Sequence, residues 1–414
     1  MILKSGTGKI IVGYDLGNVN SQISYYSAQT SKVETAPSVS GTQIYHIPTV
    51  LCKKYGVNQW LYGKEALRVA EEDEGILVDN LLELAIDGEM IRIEEEIYDP
   101  VSLLTLFVRK SLSLLSMVGT IDRIGAFLIT CERMDSKLTK VLEKVLSAAG
   151  LKARHICFQS YEESFYQYMI HQEEELWRFA TVMFQWEGSV IKAYRMQCNG
   201  KTVPKAVFIS ETEFAFETKE QDRTFLQIVK TVCGEHRISA AYLIGEGFDQ
   251  ERMKESLRYL CRESRVFLGS NLFSQGACLG MMERLRPSRL GKGHVFLGKN
   301  QLKANIGMRV LRQGADSYLA LLDAGVNWFE AEADRECYVK EEKELEFVVT
   351  PLNGQKGKIA HMTLEGLESG PARLFVHLKM IGEDKLCIAV EDLGFGEFRQ
   401  ATHRTWQEEL SLYE

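Results

Sequence analysis

The stretch Ile10-Ile11-Val12-Gly13-Tyr14-Asp15-Leu16-Gly17-Asn18-Val19-Asn20-Ser21-Gln22-Ile23-Ser24-Tyr25-Tyr26 decides how the rest of the chain is read. Two apolar runs flank a turn of Asp, Gly and Asn. Their alternation predicts a β-hairpin in which Gly17 and Asn18 take positive φ. Asp15 is the unusual residue, an acid closing an otherwise apolar strand and followed by backbone amides with little side chain over them. Such a tip can hold phosphate oxygens with its N–H groups while the carboxylate orients a metal or its water shell. An ordinary hairpin whose Asp caps the turn fits the same residues, because so short a motif often occurs without the chemistry.

Working outward, the chain has 414 residues, 45% of them hydrophobic and 26% charged, which predicts a soluble globular protein with room for two or three domains. The net charge of −8 argues against nucleic acid as the main partner. The nine cysteines form no C-x-x-C pair and stand mostly in apolar runs such as Ile156-Cys157-Phe158, as reduced core thiols do. No apolar leader opens the chain and no run approaches the about eighteen apolar residues of a membrane span. A cytoplasmic protein without a membrane segment is the expectation.

Tyr45 to Cys52 reads as a strand with Pro48 near its start, and His46 as a hydrogen-bonded strand histidine, with no second His at metal spacing. Asp99-Pro100 starts a helix with one apolar face running to Leu115. Gly125 to Thr130 is a buried strand, Ser136 to Ala149 a helix stopped by Gly150, and Ala153 to Phe158 a second strand, a crossover that belongs to a sheet with parallel strands. Thr181 to Tyr194 is another strand, turn and strand. A helix follows from Asp222 to about Cys233, then a strand running into Gly245-Glu246-Gly247, then a small-residue helix in which Gly276 and Ala277 permit close packing. Glu283 to Gly293 is a basic, Pro- and Gly-containing linker. Beyond it, short strands at 317–322, 345–350, 359–364, 372–380 and 385–390 predict an antiparallel β-sandwich.

The order from Gly13 to Ser21 resembles the first phosphate loop of the actin, sugar-kinase and seventy-kilodalton heat-shock ATPase superfamily, and looks most like its heat-shock (DnaK-type) branch. The Ala148-Ala149-Gly150-Leu151 ending of the crossover helix and the strands from Leu364 to Gly396 extend the resemblance. It implies an α/β class: a two-lobed actin-like (ribonuclease H-like) ATPase fold followed by a C-terminal β-sandwich. Lobe I would cover about 1–175 and lobe II about 176–285, with a linker at 286–300. A sandwich like the chaperone's peptide-binding domain would occupy 301–400, and a short tail without a helical lid 401–414. It further implies ATP or ADP with Mg as cofactor, Asp15 on the metal side, and Gly17, Asn18, Val19, Gly188, Gly245 and Gly247 around the nucleotide. The implied partner is a protein or unfolded peptide.

Several chemical positions depart from that family. Ser160 stands where the resemblance places a catalytic glutamate, and Glu162 and Glu163 are expected to be solvated helical carboxylates. Gln185 replaces the acid of the second phosphate loop and Glu187 adds charge where anions would approach. Val78-Asp79-Asn80-Leu81 contains no lysine for the phosphates. Only a short segment, Phe208 to Asp222, stands where the family inserts a helical subdomain. Phosphoryl transfer depends almost wholly on positioned charge. The expectation is therefore a heat-shock-like scaffold with weakened or absent ATPase, acting as a protein-binding or regulatory module. A functioning ATP-driven chaperone, compensated by Glu162, Lys192 or Lys64, and an actin-like assembly or scaffold protein are the other readings. A sugar kinase is disfavoured by the sandwich.

Overall fold

The computed structural model describes residues 9–39, 41–216, 220–245, 247–248, 251–269 and 271–413. It is mixed α/β, with several sheets and more strands than helices among the described residues. The chain divides into two compact units, one of residues 1–198 with 209–292 and the other of residues 199–208 with 293–414.

The first unit holds two sheets with the same strand order. In one, Ile10–Leu16 sits centrally, paired antiparallel with Asn20–Ser27 and parallel with Ile124–Cys131, while Lys32–Thr35 and His155–Ser160 extend the two sides. Ile124–Cys131 is buried at every position, which explains its unbroken apolar run. In the other, Ala180–Glu187 takes the central place. It pairs antiparallel with Val190–Asn199 and parallel with Ile238–Ile244, with Arg265–Gly269 outside on one side and, on the other, strand Lys205–Ala215, of which residues 209–215 belong to this unit. The residues expected as a bare connection from Phe208 to Asp222 thus include a sheet strand ending at Ala215.

Two helices join these sheets into one body. Helix Tyr161–Ile170 directly follows the last strand of the first sheet, yet its Phe165 and Tyr168 rings meet Tyr242 of the second sheet edge-on. Helix Leu272–Leu285 follows the second sheet but lies on the first, where Ser274 Oγ meets Ser24 Oγ at 2.8 Å and the Asn271 amide donates to Thr35 Oγ1 at 2.8 Å. The helices touch backbone to backbone, since a Cβ at Gly276 would overlap the Ser164 carbonyl, and the Leu272 helix lies as close to strand Ile10–Leu16, since a Cβ at Gly13 would overlap the Cys278 amide. Ser164 Oγ donates to Thr130 Oγ1 at 2.7 Å and accepts from the Gln159 amide at 2.7 Å, which fixes the start of the first helix against its sheet.

One helical stretch, Pro100–Met117, reaches the length and mean hydropathy of a bilayer span. It is interrupted at Ser113, where the α-helix gives way to a 3-10 turn, and its Leu103, Leu104, Phe107 and Leu112 are buried in the unit. It reads as an amphipathic core helix, and the described residues contain no clear membrane segment.

The second unit contains two four-stranded sheets, each antiparallel throughout. One pairs Ala315–Leu322, Ala304–Arg312, Glu344–Pro351 and Lys358–Thr363, and the other Glu332–Val339, Ala372–Met380, Lys385–Asp392 and Thr405–Ser411. Phe347 and Val349 of one share a core with Leu374, Val376, Leu378 and Ile388 of the other. Two expectations are corrected here. The supposed linker at 286–300 contains the short helix Arg289–Gly293 and strand His294–Phe296, which pairs with Lys205, Ala206 and Val207. The supposed tail at 401–414 contributes strand Thr405–Ser411, whose register with Lys385–Glu391 satisfies backbone groups that a tail would leave open.

The contact at Gly276 sets the helix spacing, so Gly276→Ala should cost about 1–3 kcal/mol of stability through forced separation. Gly293→Ala, with nothing within 4 Å of the added methyl, should change it little. Urea unfolding of both variants checks this.

Candidate functional site

The two helices and the two hairpins frame a cleft of about 1200 Å³ within the first unit. Its lining brings together all seven residues singled out from sequence, Asp15, Gly17, Asn18, Val19, Gly188, Gly245 and Gly247.

Gly17 and Asn18 do not adopt positive φ. The hairpin spans three residues between Leu16 and Asn20, so it does not need the doubly left-handed turn of a two-residue loop. Gly17 is required for another reason: a Cβ there would stand 2.5 Å from the Asn20 carbonyl oxygen and 3.0 Å from the Tyr161 hydroxyl. That hydroxyl donates to Asp15 Oδ1 at 2.6 Å. Tyr161 is the first residue of its helix, after the N-cap Ser160, and its ring stacks on Phe273 at 3.9 Å between centroids and 8° between planes. Phe273 in turn opens the Leu272 helix. The helix pair thus delivers a phenol onto the carboxylate that sequence reasoning assigned to a metal.

Asp15 is 6% exposed, and among the described residues Tyr161 is its only hydrogen-bond partner. Burial pushes its carboxyl up to about 7, against a smaller lowering by the Tyr161 hydrogen bond and with a further rise from the Glu187 charge. Burial and the Asp15 charge together push the Tyr161 phenol well above its ordinary range, so it remains a donor.

The second hairpin turns at Gly188, whose φ of +56° suits the two-residue turn between Glu187 and Val190. Its Trp186 explains the other two glycines. The Trp186 carbonyl oxygen lies 2.5 Å from where a Gly245 Cβ would be, and the indole covers Gly247 so closely that any side chain there would overlap it. The indole is further fixed edge-on to Phe216 and Phe248, with Nε1 donating to the Gly188 carbonyl at 2.9 Å. The glycine turn serves a tryptophan of the chain itself. Glu246 lies outside the described residues.

The residues weighed as replacements do not assemble. Glu163 is not solvated: it is buried and its Oε1 accepts from Arg284 Nη2 at 2.8 Å. Neither Glu162 nor Glu163 belongs to the cleft lining, and Lys64 does not either. Lys192 pairs with Glu132 and stands 3.9 Å from Glu187, its charge committed to acids. His46 is hydrogen-bonded to the Gln22 amide at 2.9 Å. Glu132, Glu211 and Glu213 converge closely enough to face one ion, but Lys192 and Arg133 already neutralise two of them. All nine cysteines are free thiols, with Cys261 exposed rather than in the core.

The cleft is strongly acidic. Its lining carries the carboxylates of Asp15, Glu83, Glu132, Asp135 and Glu187 against the single guanidinium of Arg133.

Asp15 also makes a pH prediction. In the unfolded chain it loses its proton near the ordinary 3.8, whereas in the fold it keeps it to about 7, so stability falls as pH rises between those values and levels off above. Asp15→Asn should remove this decline, and the difference between its urea midpoint and the wild-type midpoint should grow from pH 4 to pH 8.

The profile of the family of unknown function DUF5716, C-terminal part, matches residues 32–299, and that of the domain of unknown function DUF8552 matches residues 301–412. No curated protein matches the chain. The first hairpin precedes the first matched stretch, while the second hairpin and both joining helices fall inside it. With well over half of its length covered by one profile, the chain belongs to the DUF5716 family.

Proposed function

We propose that the first unit is a two-lobed actin-like fold of the heat-shock type that no longer hydrolyses ATP, and that the chain acts as a protein- or peptide-binding module. Support for the fold comes from the repeated strand order of the two sheets, each opening with a hairpin whose tip lines one cleft, and from the final helix packing back on the first sheet. The paired four-stranded sheets of the second unit support its reading as a β-sandwich of the chaperone peptide-binding kind.

The observation that carries the loss of activity is the Tyr161 hydroxyl on Asp15. A carboxylate that orients a hydrated magnesium must be ionised and open to water, and this one is buried, capped by a phenol and pushed up to about 7. Glu187 and Trp186 close the second hairpin in the same sense, by charge and by bulk. A binding role draws support from the loop after Lys385–Asp392, which presents Phe398 at 91% exposure beside Phe395 and Tyr338. Its base is fixed by Asp392, which accepts from Arg399, Thr402 and the Gly394 amide. Exposed aromatic clusters of this kind are a common mark of protein contacts. Free thiols throughout fit the reducing cytoplasm.

Calorimetric titration of the full chain with ATP and ADP, with and without magnesium, should give no binding heat and no phosphate release. Micromolar, magnesium-dependent binding would overturn the proposal.

A further inference from the structure

The cleft has lost the features that attract phosphate, yet it has not been filled, and its remaining chemistry is one-sided. Hydrogen-bond acceptors outnumber donors. The Asp15 carboxylate uses only Oδ1, towards Tyr161, and its Oδ2 has no hydrogen-bond partner among the described residues although the side chain is nine-tenths buried and lines the cavity. Asn18 gives its NH2 to Glu83 at 3.1 Å, and its Oδ1 is buried and unpaired. Gln185 Oε1, on the facing hairpin, is buried and unpaired in the same way. A buried acceptor without a donor costs about 1–3 kcal/mol, so the two at this cavity, Asn18 Oδ1 and Gln185 Oε1, point to a missing donor. Of the nearby cationic groups, Lys192 pairs with Glu132, while Arg133 is solvent-exposed with Glu213 at 3.8 Å.

The cavity also offers aromatic surface, from the stacked Tyr161 and Phe273 and from Trp186. Aromatic faces beside carboxylates are suited to organic cations, whose charge is attracted to the ring quadrupole while their N–H groups only donate. A bare metal ion fits less well. Asp15 is not among the carboxylates that converge closely enough to share one ion, which among the described residues are Glu132, Glu211 and Glu213.

We propose that this cleft binds a cationic nitrogen, an alkylammonium or guanidinium group, with Asp15 and Glu187 as counter-ions, Asn18 and Gln185 as acceptors and the Tyr161–Phe273 stack as an aromatic wall. The group could be carried by a free polyamine or by a lysine or arginine of an unfolded peptide, and the recognising chemistry is the same. The inference rests on reading the cleft as one that no longer takes nucleotide. It replaces an anionic ligand by one of opposite charge in the same place.

The test is calorimetry on the full chain with spermidine, with a pentalysine peptide and with ATP. Saturable binding of spermidine or of pentalysine is expected, whichever is tighter naming the source. Asp15→Asn and Glu187→Gln should each weaken it about tenfold, and Glu143→Gln, an exposed acid outside the cleft lining, should leave it unchanged. No heat with either cation overturns this inference and leaves the preceding one standing, whereas tight ATP binding overturns both. Equal weakening by Glu143→Gln would mean nonspecific attraction to an acidic protein and would also overturn it.

Discussion

The contact on which the first unit depends is the backbone approach of two helices, Ser164 against Gly276. Each helix belongs in sequence to one sheet and in packing reaches the other, so their closeness sets the separation of the two sheets. It also sets what stands at the mouth of the cleft. Tyr161 and Phe273 occupy the first turns of these helices, and only helices this close can stack the two rings at 3.9 Å. The stack then leaves the Tyr161 hydroxyl one direction to point, and Asp15 is there. A second tie, the buried Glu163 carboxylate paired at 2.8 Å with the partly exposed Arg284, joins the same helices. Breaking such a pair leaves a buried charge behind, which makes the arrangement costly to undo.

From that contact the electrostatics follow. A buried carboxylate with a single neutral donor holds its proton to near neutrality, which is the opposite of what magnesium coordination asks for. The facing hairpin adds Glu187, whose charge raises Asp15 further. The acidic lining and the phenol cap act in one direction, and on the reading proposed above they disfavour anions. Trp186 takes the face of the glycine turn, so that Gly245 and Gly247 are needed for packing within the chain.

The sequence made the hairpins, the crossover and the small-residue helix legible because each rests on local signals: alternation, a Pro at a helix start, a Gly at its stop. The seven residues singled out from sequence line one cleft. What the sequence hid were the long-range relations. Tyr161 looked like an ordinary helix residue, and only its distance from Asp15, 146 positions away, gives it a role. The strands Glu332–Val339 and Thr405–Ser411 are sheet edges with exposed acids along them, so they lack the apolar alternation that marks a half-buried strand. Lys205–Ala215 was missed likewise, its second half being exposed and acidic. Glu163 was misjudged because its partner Arg284 is supplied by a helix more than a hundred residues on.

The most direct measurement of the central claim is a carbon-detected NMR titration of the Asp15 side-chain carboxyl in the folded chain. The account predicts a midpoint near 7, unmoved by magnesium and rising further in Tyr161→Phe, which removes the hydrogen bond that favours the ionised form. A midpoint at the ordinary 3.8, or one that magnesium lowers, would show a solvated carboxylate open to a metal and would contradict the account.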